Sequence, residues 1–275
     1  MGGLTAIELW TIIIGMSVPF LATTIGSLAV FLFRGQISDK LNSILLGFAA
    51  GIMIAASIWS LIIPSLEYAT TNGWGKLAII PVVLGFGLGI LLMWGVDKLV
   101  PHFHQRSKTS EGLPTKTLSR DAKLFLAMTI HNFPEGIAVG FAFAVAYNGT
   151  LNPGTTDLTI YGALALAIGI AIQNIPEGAA VSLPMAQRLD HKGKAFGFGV
   201  ISAIVEPIGA ILAFLFAAFF QELLPWFLSF SAGAMLYVVV EELIPEAKLS
   251  ETEHHGTFAV MAGFLIMMIL DVVLS

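Results

Sequence analysis

Apolar stretches long enough to cross a bilayer recur along this chain, and the residues left between them are too few to build a folded aqueous domain. A helix needs about 20 predominantly apolar residues to span the hydrocarbon. Eight segments qualify, at roughly 7–33, 41–66, 77–96, 122–147, 158–187, 194–220, 223–246 and 256–275. Lipid offers the backbone no hydrogen-bond partners, so each of them must satisfy its own amides as an α-helix. With 56% hydrophobic and only 11% charged residues, and a mean hydropathy of +0.87, the composition argues against a soluble domain or a nucleic-acid partner. The expectation is an all-α polytopic membrane protein in which 1–275 form one transmembrane domain against the lipid bilayer. The first apolar run follows Glu8 without a basic leader, so it reads as the first span rather than a cleavable signal. There is no cysteine, which excludes disulfides and thiolate metal sites.

The basic residues set an orientation. With eight spans, the connections after the first, third, fifth and seventh lie on one side. Those connections and the adjoining helix ends hold Arg34, Lys40, Lys98, Arg106, Lys108, Lys116, Arg120, Lys123, Arg188, Lys192, Lys194 and Lys248, leaving only Lys76 opposite. The positive-inside rule then puts both termini outside and the polar loop at about 99–121 in the cytoplasm. A missed or invented helix would scramble this alternation, so the asymmetry supports the count of eight.

A six-residue phrase occurs twice inside the apolar sequence. His131-Asn132-Phe133-Pro134-Glu135-Gly136 falls in the fourth span, and Gln173-Asn174-Ile175-Pro176-Glu177-Gly178 follows 42 positions later in the fifth. Residues i and i+4 share a helix face at about 6 Å, so His131 with Glu135, and Gln173 with Glu177, can bind one ion together. Asn132 and Asn174 widen each ligand stripe. Pro134 and Pro176 lack the N–H that would bond the carbonyls of Ile130 and Ile172, which loosens each helix beside its glutamate. Gly136 and Gly178 leave room for another helix or a solvated cavity to approach. Consecutive spans run in opposite directions, so the two stripes meet face to face, as inverted repeats do around a midplane site. Ionisable groups at that depth are costly, and a cation shared between them accounts for the repetition. The ligand types suit Zn²⁺, Fe²⁺, Mn²⁺ or Cd²⁺ better than Cu⁺, and no organic cofactor is called for.

Other residues carry weaker signals. Glu206 precedes Pro207 in the middle of the sixth span and is a third carboxylate for the same ion. Met53, alone in the uncharged second span, reads by itself as packing, and Ser57 and Ser60 read as bonded back to their own helix. Glu67 and Asp271, at outer helix ends, read as solvated, with collection of cations at an entrance as the alternative. Glu241, Glu242, Glu246, Glu251, Glu253, His254 and His255 form an acidic and histidine-bearing group near the cytoplasmic end of the seventh span, read as capping or an exit path. His102 and His104 have spacing for transient metal contact. The pairs Gly47/Gly51, Gly85/Gly89 and Gly193/Gly197 read as close helix packing, and Pro19, Pro64, Pro81 and Pro207 as kinks.

With both motifs in place, the sequence resembles the ZIP (Zrt-, Irt-like protein) family of divalent metal transporters, most closely its prokaryotic type. The resemblance implies a bacterial inner (cytoplasmic) membrane protein with a two-metal centre between the second, fourth, fifth and sixth spans. It implies a first position at Met53, His131, Glu135, Gln173 and Glu177, and a second at Asn132, Glu135, Asn174, Glu177 and Glu206. It also implies uptake by alternating access, with a moving bundle of the first, fourth, fifth and sixth spans, and homodimers are frequent in the family. Two positions depart from the common pattern, which often has His at Gln173 and sometimes Asp at Asn174. The residues alone leave open an intramembrane metal-dependent hydrolase, although no H-E-x-x-H sequence is present, and a metal exporter or antiporter.

Overall fold

The computed structural model describes residues 5–32, 38–99, 102–103, 110–111, 120–154, 156, 158–189, 191–247 and 254–274. It forms eight helical rods. We number them α1 (Ala6–Ser27, continued by Ala29–Leu32), α2 (Asp39–Ala56, continued through Ser57–Ile62 and Ile63–Ala69), α3 (Ile79–Leu99) and α4 (Arg120–Leu151). There follow α5 (Ile160–Leu189), α6 (Lys192–Ala203 and Val205–Phe219), α7 (Leu224–Val238, continued through Val239–Leu243 and Ile244–Glu246) and α8 (His255–Leu274). Two short strands, β1 (His102–Phe103) and β2 (Ser110–Glu111), pair antiparallel between α3 and α4.

Among the described residues, seven of the rods are long and apolar enough to cross a membrane. The other is α4, whose 32 residues are ample in length but include His131, Asn132 and Glu135 of the first motif. Lipid-facing side chains such as Leu84, Leu88, Ile211 and Val272 are exposed. The chain is an integral, multi-pass, all-α membrane protein.

Local chemistry explains where the rods begin and bend. Thr5 caps α1 in a capping box: the Thr5 hydroxyl accepts from the Glu8 N–H at 3.2 Å, and the Glu8 carboxylate accepts from the Thr5 N–H at 2.8 Å. The first acidic residue is therefore a helix-starting device. Pro207 leaves the Ala203 carbonyl without its usual donor, and α6 breaks at Ile204 before resuming, which puts Glu206 in the first turn of the second half. In α2 and α7, wider π-type turns at Ser57–Ile62 and Val239–Leu243 come just before Pro64 and Pro245.

The rods pair as α1 with α5, α4 with α6, α2 with α8, and α3 with α7. Glycine permits this. A Cβ added at Gly26 would lie 2.0 Å from the Ile175 carbonyl oxygen, one at Gly51 2.0 Å from that of Val260, and one at Gly89 2.0 Å from that of Phe230. At Gly140 it would lie 2.2 Å from the Ala210 carbonyl oxygen. Each pair is therefore in backbone-to-backbone contact, the geometry that small residues provide in lipid. The expectation for Gly193 and Gly197 is corrected: nothing lies within 4 Å of a Cβ at Gly197, and Gly193 meets only the His191 side chain. These two glycines follow the His191 cap in the first part of α6, where among the described residues no neighbouring helix backbone comes within 4 Å of an added Cβ.

The pairs assemble into two bundles, α1/α4/α5/α6 and α2/α3/α7/α8. Side-chain contacts cross from one bundle to the other. Phe141 of α4 stacks on Phe227 of α7 with centroids 4.8 Å apart, and Asn148 of α4 donates to the Tyr68 hydroxyl of α2 at 2.6 Å. An apolar crevice of about 260 Å³, lined by residues including Leu88, Ile137, Phe141 and Trp226, also lies along this boundary.

Candidate metal site

Both motifs lie within continuous helices, α4 and α5, and the polar side chains described there are buried. Asn132, Glu135, Gln173, Asn174, Glu177 and Glu206 are all buried. The third position of each copy points the other way, with Phe133 41% and Ile175 44% exposed. The helices are thus inverted in polarity there: polar groups face protein and apolar groups face lipid, the arrangement required of ionisable residues inside a membrane.

The two copies are joined directly. Gln173 Nε2 donates to Glu135 Oε1 at 2.8 Å, linking the first position of one motif to the fifth of the other. Asn174 Nδ2 donates to Glu206 Oε2 at 3.1 Å, and Asn132 Nδ2 donates to the Ser202 carbonyl at 3.0 Å. Each carboxamide therefore spends an N–H on a protein acceptor. In Gln173 and Asn174 the oxygen is left over: among the described residues Gln173 Oε1 and Asn174 Oδ1 are buried without a donor, as is Glu135 Oε2. Buried acceptors are normally satisfied, so these orphan oxygens form a concentration of negative potential. A hard or borderline dication would supply a partner for the orphan lone pairs.

The glycines of the motifs receive neighbouring helices rather than a solvated cavity. A Cβ at Gly136 would lie 2.3 Å from the Glu206 carbonyl oxygen, and one at Gly178 2.2 Å from that of Thr23. Thus α6 sits against the first motif at Glu206, and α1 sits against the second at Thr23. Among the described residues, no three Asp, Glu, His or Cys side chains group closely enough to hold an ion alone. Carboxylates and carboxamides are interleaved instead.

Met53 is fully buried in α2, which packs on α5. For His131 the structure describes only the backbone, within α4. Ser57 bonds back to the Met53 carbonyl at 2.8 Å, as expected. Ser60 does not: it donates to Asp271 of α8 at 2.6 Å, and Asp271 is buried rather than solvated. The wider turn at Ser57–Ile62 and the tight α2/α8 pairing bring these two together. Glu67 is partly buried, Glu241, His254 and His255 are exposed, and Glu242 is partly buried. His104, Glu251 and Glu253 lie outside the described residues, as do the side chains of His102 and Glu246. Sequence reasoning passed over Thr23, whose hydroxyl donates to Glu206 Oε1 at 2.9 Å. Its signal was faint, a hydroxyl in an apolar helix four residues after Pro19.

Helical rods packed around a buried, oxygen-rich cluster define a class, that of polytopic all-α membrane proteins with polar side chains gathered among their spans. Comparison with known proteins narrows it. The ZIP Zinc transporter family pattern matches residues 115–271. The chain is 38% identical over 264 residues to the zinc transporter ZIPB of Bordetella bronchiseptica, covering 96% of this chain and 81% of that protein. It is 35% identical over 255 residues to the zinc transporter GufA of Myxococcus xanthus (92% and 95% covered), and 33% identical over 325 residues to the human zinc transporter ZIP11 (91% and 93% covered). The chain belongs to the ZIP family of zinc transporters.

Proposed function

We propose that this protein is a secondary transporter that carries divalent metal ions, Zn²⁺ foremost, into the cytoplasm by alternating access through a two-metal site at the paired motifs. The observation that carries it is the set of buried, donorless oxygens on Glu135, Gln173 and Asn174, assembled from two inverted motifs. Met53, His131, Glu135, Gln173 and Glu177 form the first position. Asn132, Glu135, Asn174, Glu177 and Glu206 form the second. Three glutamates against one or two dications bring the site close to neutrality, which passage through low dielectric requires. The division into two bundles with a side-chain boundary supports a movement of α1/α4/α5/α6 against the other four rods. The basic residues orient the long loop to the cytoplasm and both termini outside. The proposed location is the bacterial cytoplasmic membrane, and relatives named as zinc transporters favour transport over hydrolysis.

The test is Zn²⁺ flux in proteoliposomes under imposed inward and outward metal gradients. Inward flux that saturates with Zn²⁺ is expected, and no flux in either direction overturns the proposal. Gln173→His replaces an amide oxygen with a basic nitrogen able to ligate Zn²⁺. It is expected to tighten Zn²⁺ binding about tenfold, the size of a 1.4 kcal/mol gain, while Mn²⁺ binding changes little. Competition titration against a chromophoric chelator measures both.

A further inference from the structure

We infer that Thr23 of α1 is a positioning residue that holds the Glu206 carboxylate in the orientation in which it meets the metal ion. The inference rests on the assignment of Glu206 to the cation site. Hydroxyls in membrane helices usually donate back to their own backbone, and three others in α1 follow that habit: Thr11 donates to the Ile7 carbonyl at 2.9 Å, Ser17 to that of Ile13 at 2.9 Å, and Ser27 to that of Thr23 at 2.9 Å. Thr23 has a second, nearer acceptor on another helix. Its hydroxyl is 3.2 Å from the Pro19 carbonyl but 2.9 Å from Glu206 Oε1, across 183 positions of sequence, and both residues are buried.

The partner oxygen, Glu206 Oε2, accepts from Asn174 at 3.1 Å. The carboxylate is therefore held at both ends by donors on two different helices, α1 and α5. Each oxygen keeps a further lone pair for an ion. Two donors fix the plane of the group, which a carboxylate on a flexible side chain otherwise leaves free.

The position of Thr23 follows from the packing. The first motif's glycine is occupied by the backbone of Glu206, and the second motif's glycine by the backbone of Thr23. These two residues occupy corresponding seats against the paired motifs, and they bond to each other. Thr23 thereby ties α1 to α6 at the level of the site, alongside the direct pairing of each with its own motif helix.

The test uses the purified full-length chain with Cd²⁺ as the probe in titration calorimetry, and Zn²⁺ uptake in proteoliposomes. Thr23→Val keeps the shape and removes the donor. Loss of a hydrogen bond to a charged group is expected to weaken Cd²⁺ binding about tenfold. The KM for uptake should rise by a similar factor, with maximal rate held within about twofold. Thr23→Ser retains the hydroxyl and should stay within about twofold of the parent, although it loses the methyl group that a purely packing role would need. In a Glu206→Ala background, Thr23→Val should cause no further loss. Parent-like binding in Thr23→Val, equal damage in Thr23→Ser, or multiplying losses in the double variant each overturn the inference. Unchanged binding in Glu206→Ala alone strikes the assignment of Glu206 itself, and is read separately from the Thr23 results.

Discussion

Glu135→Ala and Glu177→Ala are each expected to cut metal-stimulated uptake by about 100-fold or more, since removing one member of a buried charged set costs several kcal/mol of binding. The same variants are expected to fold. Both side chains are buried on helices whose backbone alanine favours, and alanine adds no buried polar group. The discriminating measurement is therefore thermal unfolding in detergent with and without Zn²⁺. A ligand at 100 times its Kd stabilises a protein by about 2.7 kcal/mol. The parent should gain that protection and the two variants should lose it. Phe133→Ala and Ile175→Ala, at the outward-facing positions of the same motifs, serve as controls and should retain uptake. Undiminished transport in both glutamate variants would sink the proposed site.

The second large effect concerns packing. Gly178→Ala is expected to destabilise the protein by about 1–3 kcal/mol, the usual cost of overpacking, and to impair uptake with it. Its new methyl group would stand 2.2 Å from the Thr23 carbonyl oxygen, a backbone atom that cannot swing aside, so α1 must move away from α5. Gly197→Ala is the matched control. With nothing within 4 Å of the added carbon, it should be neutral or gain up to about 1 kcal/mol from better helix propensity. Unfolding midpoints compared for the two variants give the answer, and equal midpoints would refute close packing at Gly178.

These features differ in how far the sequence reveals them. The rods are legible because lipid imposes one rule on every span, a long apolar run with its amides satisfied internally. The motifs are legible because polar residues stand out against that background, and because repetition separates design from accident. Partnership across the chain is harder to read. Ser57 and Ser60 look alike in sequence, yet one bonds to its own helix and the other to Asp271. Thr23 looks like Thr11, yet only Thr23 reaches Glu206. A hydroxyl can be satisfied equally well by its own backbone, so composition and spacing do not tell which acceptor it takes. Glycine spacing has the same limit: Gly47 and Gly51 pack against α8, whereas among the described residues nothing comes within 4 Å of a Cβ added at Gly197. The periodicity describes a helix surface, and the neighbour decides its use.

Backbone contact within each helix pair and side-chain contact between the bundles have a consequence for how this architecture can change. Inside a pair, almost any substitution at the contact glycine collides with main chain, so those positions are closed to drift. Along the boundary, the neighbour of Gly169 is the end of the Met267 side chain, a flexible thioether that adapts its shape, and the crevice beside Phe141 leaves spare volume. Substitutions there can be absorbed one at a time. A lineage built on this plan can vary the surface between the bundles while the helix pairs keep their shape.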